Sequence, residues 1–475
     1  MLFEEEVTIT STVTPPPWSG GGGFPVTPGP VDPGTPVDVP GTVDAAIDEV
    51  REILAGLEGA SPTERAELIA KAIDAAVVAI EKISSYNGAS DVTVADGVAT
   101  ANIPDAGLLA IIAGISEIKS TLESLAPGST ADLKPRVVIV NLGAVEQDQV
   151  SVTISQAVFA AARAAGVAGF EIVADRLSVT VPASNTFSGG AVNLSVERQS
   201  PSEEPALTGV RTASSVYSFD LTVGGNTVTT FDLPVTLKVP VANTDGLDEE
   251  LLSLAKIVNG SLESHGGFLR GQHIVEPRDS FSSYVIVENR VSFNDIGSVS
   301  AWAGRQIQVM AAKGAIQGRA AGQFVPRDNI TRAEFAKMLV RAMNLENSSA
   351  TENFADVNAG DWFAPYVAAA ADLGIINGRS ATSFAPNALI TRAEMATMLA
   401  RTLKITHELE DVADVEGSLA AFIDAGSIHA TLRSGVALAA SKELIIGYQG
   451  NFLPNDNANR AEAAVMVYRA FNFTE

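Results

Sequence analysis

The last third of this 475-residue sequence repeats itself. A shift of 60 residues places Trp302 on Trp362, and it places the Thr-Arg-Ala-Glu sequence at 331–334 on the same sequence at 391–394. A third, more divergent copy follows at an offset of 68 residues from the second and keeps the phenylalanine, proline, arginine and glutamate of the pattern. Such a self-match is typical of a repeat architecture, in which each unit packs against its neighbours.

Each copy has the same helical plan. An apolar, Ala-rich helix ends at a glycine, Gly314 or Gly374, and a short loop with a Phe-x-Pro sequence follows. A second helix then begins at Thr331, Thr391 or Asn459, each with a glutamate three residues later, which is the spacing of a capping box. One helical hairpin of this size cannot bury its apolar face alone, so we expect the three copies to pack against one another.

The arginine after each capping residue suggests a binding role. Arg332, Arg392 and Arg460 stand at the first helical position, where a helix presents free amides and the positive end of its dipole. A guanidinium there suits an incoming carboxylate or phosphate, which it binds bidentately, and a nearby tryptophan offers a face on which a sugar ring can stack. The alternative is that each arginine pairs with a neighbouring carboxylate and each tryptophan belongs to the core. Residue chemistry alone favours neither reading.

Composition excludes several classes of function. The chain has no cysteine and four histidines, which excludes disulfides, thiol catalysis and cysteine metal sites, and no metal site is expected. The net charge of -25 argues against nucleic-acid binding, because phosphates would be repelled. The acid load lies mainly upstream of the repeats, since residues 291–475 carry 15 Lys+Arg against 19 Asp+Glu. No apolar run is long enough for a membrane span, and no motif calls for a cofactor.

The chain upstream of the repeats divides by composition. Residues 1–43 predict the remnant of a strand, at 7–14, followed by a Pro/Gly-rich linker. Residues 44–87 predict a helical hairpin, in which Asp44 caps the first helix and Ser61 opens the capping box of the second. The first residues lack the positive and apolar regions of a signal peptide. We therefore interpret the chain as a C-terminal fragment of a longer exported protein.

Residues 88–290 predict an α+β domain with a mainly antiparallel sheet. Runs such as 177–182 and 235–240 have the composition of strands, and Gly224-Gly225-Asn226 is a hairpin turn signal. The predicted fold class is therefore multidomain, with this α+β domain followed by the three repeats. We place the repeats, the last of them degenerate, at 291–347, 352–406 and 411–473.

The repeats resemble the S-layer homology (SLH) domain, present as three tandem copies over about residues 291–473. The resemblance rests on the tryptophans, the Gly-x-x-x-Gly loops, the Phe-x-Pro and Thr-Arg-Ala-Glu sequences, and a Phe-x-Asp start at Phe293/Asp295, Phe354/Asp356 and Phe422/Asp424. It implies an all-α, pseudo-threefold prism with grooves between adjacent copies, in a surface protein of a Gram-positive bacterium. It also implies that the grooves bind secondary cell-wall polysaccharide, often one that carries a pyruvate ketal, which is a carboxylate.

The resemblance also implies a role for each matching position. An arginine would hold the acid, a tryptophan would contact the sugar, an aspartate would accept hydrogen bonds from sugar hydroxyls, and a glycine would let the backbone approach closely. The glycan-binding residues expected in this way are Arg332, Arg392 and Arg460; Trp302 and Trp362; Asp295, Asp356 and Asp424; and Gly318 and Gly378.

The third copy departs from the pattern. Leu432 takes the place of the tryptophan and Asn459 that of the threonine, while Asp424 and Arg460 are kept. The groove that depends on Leu432 lacks a stacking face, so we expect it to bind weakly or not at all.

Three functions remain open at this point. The leading one is non-covalent anchoring of a surface protein to the cell wall, with a cell-wall glycan as partner. A second is the anchor part of a cell-wall polysaccharide hydrolase, although this chain has no Gly-x-Ser-x-Gly or His-Glu-x-x-His sequence and is itself expected not to be an enzyme. A third is a module for self-assembly with neighbouring S-layer subunits. All three place the protein in the cell wall or S-layer.

Overall fold

The computed structural model describes residues 39–133, 136–185, 187, 189–347 and 350–474. The strand expected at 7–14 and the linker up to residue 38 lie outside the described residues. The chain is multidomain, with a β-rich part followed by a part built of helices. We call residues 39–290 the sheet region and residues 291–474 the helical region.

The elements of the sheet region are as follows. The α-helices are α1 (Val39–Leu54), α2 (Pro62–Ile83), α3 (Asp105–Leu125) and α4 (Gln156–Ala164). The strands are β1 (Ser85–Asn87), β2 (Val92–Ala95), β3 (Val98–Asn102), β4 (Val137–Asn141), β5 (Gln149–Ile154), β6 (Gly169–Ala174), β7 (Leu177–Pro182), β8 (Val192–Gln199), β9 (Val216–Val223), β10 (Asn226–Thr227), β11 (Val235–Pro240), β12 (Leu252–Val258), β13 (Ser261–Gly266), β14 (Phe268–Arg270), β15 (His273–Arg278) and β16 (Ser283–Glu288).

The strands form two sheets. One has the order β1-β4-β6-β7-β11-β15-β14, and the other has the order β13-β12-β16-β9-β8-β5-β3-β2, with β10 paired to β9. The pairs β1–β4, β4–β6 and β3–β5 are parallel, and the other neighbouring strands run antiparallel. The pairing is therefore mainly antiparallel, as predicted. The two sheets bury their apolar faces in one hydrophobic cluster.

The helices at the start of the sheet region differ from the prediction. The first begins at Val39 rather than at Asp44, so the end of the predicted linker is helical. The capping box of Ser61 with Glu64 is present as predicted. Gly114 of α3 allows α1 to approach closely, since a Cβ there would lie 2.6 Å from the side chain of Val43. These helices share their hydrophobic cluster with the sheets, so the predicted hairpin does not pack as a separate unit.

The helical region contains the three copies of the repeat. The first has α5 (Ser300–Ala312) and α6 (Arg332–Ala342), and the second has α7 (Ala364–Asp372) and α8 (Arg392–Thr406). The third has α9 (Val415–Leu419), α10 (Arg433–Ser441) and α11 (Arg460–Phe471). The predicted glycine stops are confirmed, because Gly314 and Gly374 follow α5 and α7 with positive φ angles.

The main helix contacts join different copies. The helix α6 packs on α7, α8 packs on α10, and α11 packs on α5. The expectation that the two helices of one copy form a hairpin is therefore wrong. The loop between them is anchored by a fully buried phenylalanine and separates them, so each second helix finds its partner in the next copy; these anchors are Phe324, Phe384 and Phe452.

Backbone hydrogen bonds join the three copies in a closed cycle. We call the unit formed by the three joined copies the ring. The amide of Ile390 donates to the carbonyl of Ile330 (3.1 Å), and the amide of Ala458 donates to the carbonyl of Ile390 (3.0 Å). The amide of Ile330 donates to the carbonyl of Ala458 (3.0 Å), which completes the cycle. Each copy thus donates to one neighbour and accepts from the other, so loss of one copy would leave two of these groups without partners.

The sheet region packs on the ring where the first and third copies meet. Leu251 and Phe268 of the sheet region belong to the hydrophobic cluster of the ring, and Phe268 stacks on Phe471 with 4.7 Å between ring centroids. Lys313, at the end of α5, is buried and donates to two backbone carbonyls of the sheet region. This burial lowers the pKa of Lys313 to about 8. The two regions are therefore joined by a shared core as well as by the chain.

Candidate functional site

Three junctions between copies contain the residues that the sequence singled out. We call the contact of α6 with α7 the first junction, that of α8 with α10 the second, and that of α11 with α5 the third. In each, the second helix of one copy supplies the arginine and the first helix of the next copy supplies the tryptophan position. The junctions therefore bring together residues from different copies.

The arginines lie inside the junctions and are already paired. In the first junction, Arg332 donates from Nε to the carbonyl of Phe384 (2.9 Å), and its terminal nitrogens donate to the carbonyl of Asn377 (3.0 Å) and to Glu394 Oε1 (2.8 Å). Arg392 makes the same three kinds of contact with the third copy. Arg460 donates to two carbonyls of the first copy and lies 3.8 Å from Glu334.

The arginines are also largely shielded from solvent. Arg332 and Arg460 are only 4% and 6% exposed, and three of the five guanidinium hydrogens of Arg332 are used within the protein. The idea that these side chains are held open for an acid is therefore wrong, and pairing with a neighbouring carboxylate is what the structure shows. A contact between the remaining hydrogens and a glycan stays a prediction.

The first amides of the helices are not free either. The amides of Arg332 and Ala333 donate to the carbonyls of Ala388 (2.9 Å) and Pro386 (3.0 Å) in the next copy. Equivalent bonds are made at the start of α8 and α11. The predicted capping boxes are present at all three helix starts. The helix termini thus have protein partners, and no anion is needed to satisfy them.

The aspartates hold the loop of their own copy. Asp295 accepts from the amides of Phe324 (2.8 Å) and Val325 (2.7 Å), and Val325 has a positive φ of 56°, which is unfavourable for a β-branched residue. Asp356 and Asp424 make the same pair of bonds in the other copies. Burial alone would raise the pKa of Asp295, but these amide bonds outweigh it and the pKa is lowered. A contact of the aspartates with a sugar stays a prediction.

The glycines are required by contacts within their own copy. A Cβ on Gly318 would lie 2.7 Å from the carbonyl oxygen of Gln323 and 3.1 Å from the ring of Phe293. A Cβ on Gly378 would lie 2.3 Å from the carbonyl oxygen of Ser380 and 2.7 Å from the ring of Phe354. The close approach expected of these glycines is therefore made by the protein itself, and an approach to a glycan stays a prediction.

The tryptophans are exposed, in contrast to the core alternative. Trp302 is 40% exposed and Trp362 is 54% exposed. Trp302 stands in the first turn of α5, and Trp362 stands just before α7, where Lys337 of α6 lies 5.5 Å from its ring. An exposed indole beside a polar junction suits stacking with a sugar ring, whereas a core residue would be enclosed.

The first junction also contains a lysine that the sequence analysis missed. The Nζ of Lys337 lies 5.5 Å from the ring centroids of both Trp362 and Tyr366. Among the described residues, no carboxylate lies within ion-pair distance of this ammonium, although Glu346 influences it from farther away. Burial lowers the pKa of Lys337 below its usual value. The junction thus presents a positive charge next to an exposed indole, which together offer an anionic sugar a charge contact and a stacking face.

The other two junctions lack this lysine. The position five residues after the arginine is Lys337 in the first, but it is Thr397 in the second and Val465 in the third. Thr397 donates to the carbonyls of Ala393 and Leu432, so it closes the second junction against α10. A comparison of the copies at this position could have found the lysine, but only with knowledge of which copies adjoin.

A cavity elsewhere in the molecule is less suited to a sugar. It lies between the two sheets, has a volume of about 50 Å³, and is lined mainly by aliphatic side chains such as Val152, Ile172 and Leu194. Small-molecule pockets are usually several times larger.

Among the described residues, no group of His, Asp or Glu is arranged to hold a metal ion.

Comparison with known families agrees with the division of the helical region into three copies. The family model of the S-layer homology domain matches residues 292–336, 353–396 and 421–464. Each match begins near the Phe-x-Asp sequence of a copy and extends into its second helix. The three copies are therefore tandem S-layer homology domains.

Curated relatives include both surface-layer proteins and polysaccharide hydrolases. The surface-layer 125 kDa protein of Lysinibacillus sphaericus is 36% identical over 40% of this chain, and an exoglucanase of Acetivibrio thermocellus is 34% identical over 38%. An amylopullulanase of Thermoanaerobacterium thermosulfurigenes is 30% identical over 58% of this chain, so the match extends into the sheet region. The chain spans only 14 to 16% of the length of these relatives.

The location of the protein follows from these matches. In the described part of the chain, no helix is both long and apolar enough to span a membrane. S-layer homology domains and surface-layer relatives indicate a position at the cell wall or in the S-layer. The chain is thus identified as a bacterial surface protein with three tandem S-layer homology domains.

Proposed function

We propose that the ring anchors its protein non-covalently to the cell wall of a Gram-positive bacterium by binding an anionic, pyruvylated secondary cell-wall polysaccharide. In this proposal the three copies form a pseudo-threefold prism, and the junctions are its glycan-binding grooves. The cyclic backbone bonds through Ile330, Ile390 and Ala458 support the prism. The surface-layer relatives support the anchoring role.

The observation that carries the proposal is the group of Lys337, Trp362 and Tyr366 in the first junction. The ammonium is half-buried, has no carboxylate partner among the described residues, and lies beside an indole that is 54% exposed. The two rings offset part of the cost of desolvating this ammonium, but burial still penalises the charge and no carboxylate neutralises it. An acidic sugar would supply the missing partner and a ring to stack on Trp362.

The charges around the first junction favour an anion. Arg379 is 46% exposed and shares Glu394 with Arg332, so two guanidinium groups lie at one carboxylate. Lys337 adds a third cation beside Trp362 in the same junction. In the second junction Tyr448 stands where Arg379 stands in the first, and Arg392 is matched by Glu462. The first junction therefore has more positive charge relative to its carboxylates than the second. We propose it as the main glycan site.

The test is a sedimentation assay with native cell walls and with walls stripped of their anionic polymer. We expect the Lys337→Ala plus Trp362→Ala variant to bind native walls at least about tenfold more weakly, because it loses a charged contact and a stacking face. Lys442→Ala is the matched control, since it removes a cation that also lies near an aromatic ring, 5.9 Å from that of Phe473, but follows α10 and is outside the first junction. Unchanged binding of the double variant would overturn the proposal.

The hydrolase-anchor function is a second candidate, because an amylopullulanase and an exoglucanase are among the relatives. In both candidates the S-layer homology domains are the non-catalytic part, and we propose that this chain is not itself an enzyme. Hydrolysis of purified wall polysaccharide by the chain would contradict that. Equal binding to native and stripped walls would instead favour self-assembly with neighbouring S-layer subunits.

A further inference from the structure

The third junction has a feature that the other two lack. Arg305 lies three residues after Trp302 in α5, and residues at this spacing share one side of a helix. The matching residue of the second copy is Pro365. The third junction therefore carries a second guanidinium, one helical turn from its exposed indole.

Two carboxylates of the sheet region bind the guanidinium of Arg305. Asp248 binds it through both oxygens, at 2.7 Å from each terminal nitrogen, and Glu250 Oε2 accepts from Nε at 2.8 Å. The forked contact with Asp248 is the geometry by which an arginine binds the carboxylate of a ligand. The acid that Arg305 could take from a glycan is thus supplied by the chain itself.

Glu250 also connects the two walls of the third junction. Its second oxygen accepts a hydrogen bond from the hydroxyl of Tyr468 in α11, while the first is bound to Arg305 in α5. Tyr468 lies three residues after Val465, which takes the position of Lys337 on that helix. One carboxylate of the sheet region therefore joins α5 and α11, the two walls of the third junction.

The charge balance of the third junction follows from these contacts. Arg305 faces two carboxylates, and Arg319 faces Asp328 and Glu334. Arg460 lies 3.8 Å from the same Glu334, so three guanidinium groups meet four carboxylates. An anionic sugar would meet more carboxylates here than in the first junction, and it would have to displace Asp248 to reach the guanidinium.

We infer that the sheet region takes the place of the ligand in the third junction, through Asp248 and Glu250, and so restricts acidic glycan to the first junction. This inference rests on the proposed function. It means that the sheet region determines how many binding sites the anchor offers. It also means that the number of tryptophan-bearing junctions exceeds the number of binding sites.

Single-tryptophan variants allow the two junctions to be read separately. In a Trp18→Phe background, Trp302→Phe leaves Trp362 as the reporter of the first junction, and Trp362→Phe leaves Trp302 as the reporter of the third. The probe is a methyl glycoside of N-acetylmannosamine that carries a pyruvate ketal, and its binding is followed by tryptophan fluorescence. The unpyruvylated glycoside controls for binding that does not need the acid.

We expect the Trp362 reporter to respond and saturate, and the Trp302 reporter to stay unchanged at the same concentrations. The Asp248→Asn plus Glu250→Gln variant keeps side chains of the same size but removes both charges. In that variant we expect the Trp302 reporter to respond, with an affinity within about tenfold of that of the first junction. Glu249→Gln is the matched control, because Glu249 is an exposed carboxylate of the same turn and has no contact with Arg305 among the described residues.

The outcomes separate this inference from the function on which it rests. A response of the Trp302 reporter without the double substitution overturns the inference alone, and so does a Trp302 reporter that stays silent in the folded double variant. Circular dichroism establishes that the variant is folded. Silence of both reporters in every variant overturns the proposed function, and the inference falls with it.

Discussion

Removal of the Arg332 side chain tests whether the repeated arginines hold the ring together. In Arg332→Ala, the carbonyls of Phe384 and Asn377 and the Oε1 of Glu394 lose their donors at once. The site is buried, with side-chain exposures of 5% for Arg332 and 17% for Glu394. The guanidinium also lies 4.8 Å from the ring centroid of Phe384, so packing is lost together with the hydrogen bonds.

The expected cost follows from the burial of the pair. Removing one partner of a buried ion pair typically costs about 3–5 kcal/mol, because the other charge is left desolvated and unpaired. For a unit of the size of the ring, this corresponds to a fall in Tm of roughly 6 to 20 °C. Arg379→Ala is the matched control, since Arg379 reaches the same Glu394 oxygen at 3.4 Å but is 46% exposed. We expect that control to cost less than about 1 kcal/mol.

Thermal unfolding followed by tryptophan fluorescence measures this loss of stability, because Trp302 lies in the first copy and Trp362 in the second. A Tm of Arg332→Ala within about 2 °C of the unaltered protein would refute the reasoning. The guanidinium would then be dispensable for the fold, and the idea of an arginine reserved for an acid would return. The same experiment shows how wall-binding data should be read. Loss of binding in an arginine variant that is partly unfolded says nothing about a contact with glycan.

Three further predictions test other parts of the structure. Asp356→Asn should lower the free energy of unfolding by about 1–3 kcal/mol, because the amides of Phe384 and Ala385 lose a charged acceptor and Ala385 has a positive φ. Denaturant unfolding measures this, and an unchanged midpoint would contradict it. Burial raises the pKa of Glu276 to about 8 from 4.5, so the folded protein holds a proton that the unfolded chain has lost. The free energy of unfolding should therefore fall as pH rises from about 4.5 to 8, and Glu276→Gln should remove this slope if the reasoning is sound. Leu251→Ala should destabilise the ring by about 2–5 kcal/mol, although Leu251 belongs to the sheet region, because its side chain is only 2% exposed within the hydrophobic cluster of the ring. Hydrogen exchange measures this, and a loss of protection confined to the sheet region would argue against a shared core.

Local features of the fold were readable from the sequence because they depend on neighbouring residues. The capping boxes at Thr331, Thr391 and Asn459 need only a cap and a glutamate three residues on. The glycine stop at Gly314 and the turn at Gly224 likewise follow from backbone conformations that other residues rarely adopt. Strand composition was sufficient to indicate a mainly antiparallel region. The division into two sheets was not readable, because strand composition does not say which strands pair.

The candidate site was less predictable because its contacts are made between copies. Arg332 meets Glu394 and the carbonyl of Phe384, which lie 62 and 52 residues away in the chain. Arg460 closes the ring by bonding to Phe324, 136 residues away. No local pattern shows such partners, so an arginine at a helix start was open to two interpretations. Lys337 was missed for the same reason, since its aromatic neighbours Trp362 and Tyr366 belong to the next copy.

The three copies together separate residues of the fold from residues of the binding site. The degenerate third copy keeps Asp424, Arg460 and Glu462, each of which bonds within the ring or its loops. It has lost the tryptophan, and α11 carries Val465 where α6 carries Lys337. A copy that only had to complete the ring would retain the first set and be free to change the second, because the ring cannot close without its buried pairs and backbone bonds. The positions that differ between copies, rather than the invariant arginine, are therefore where glycan specificity should be sought.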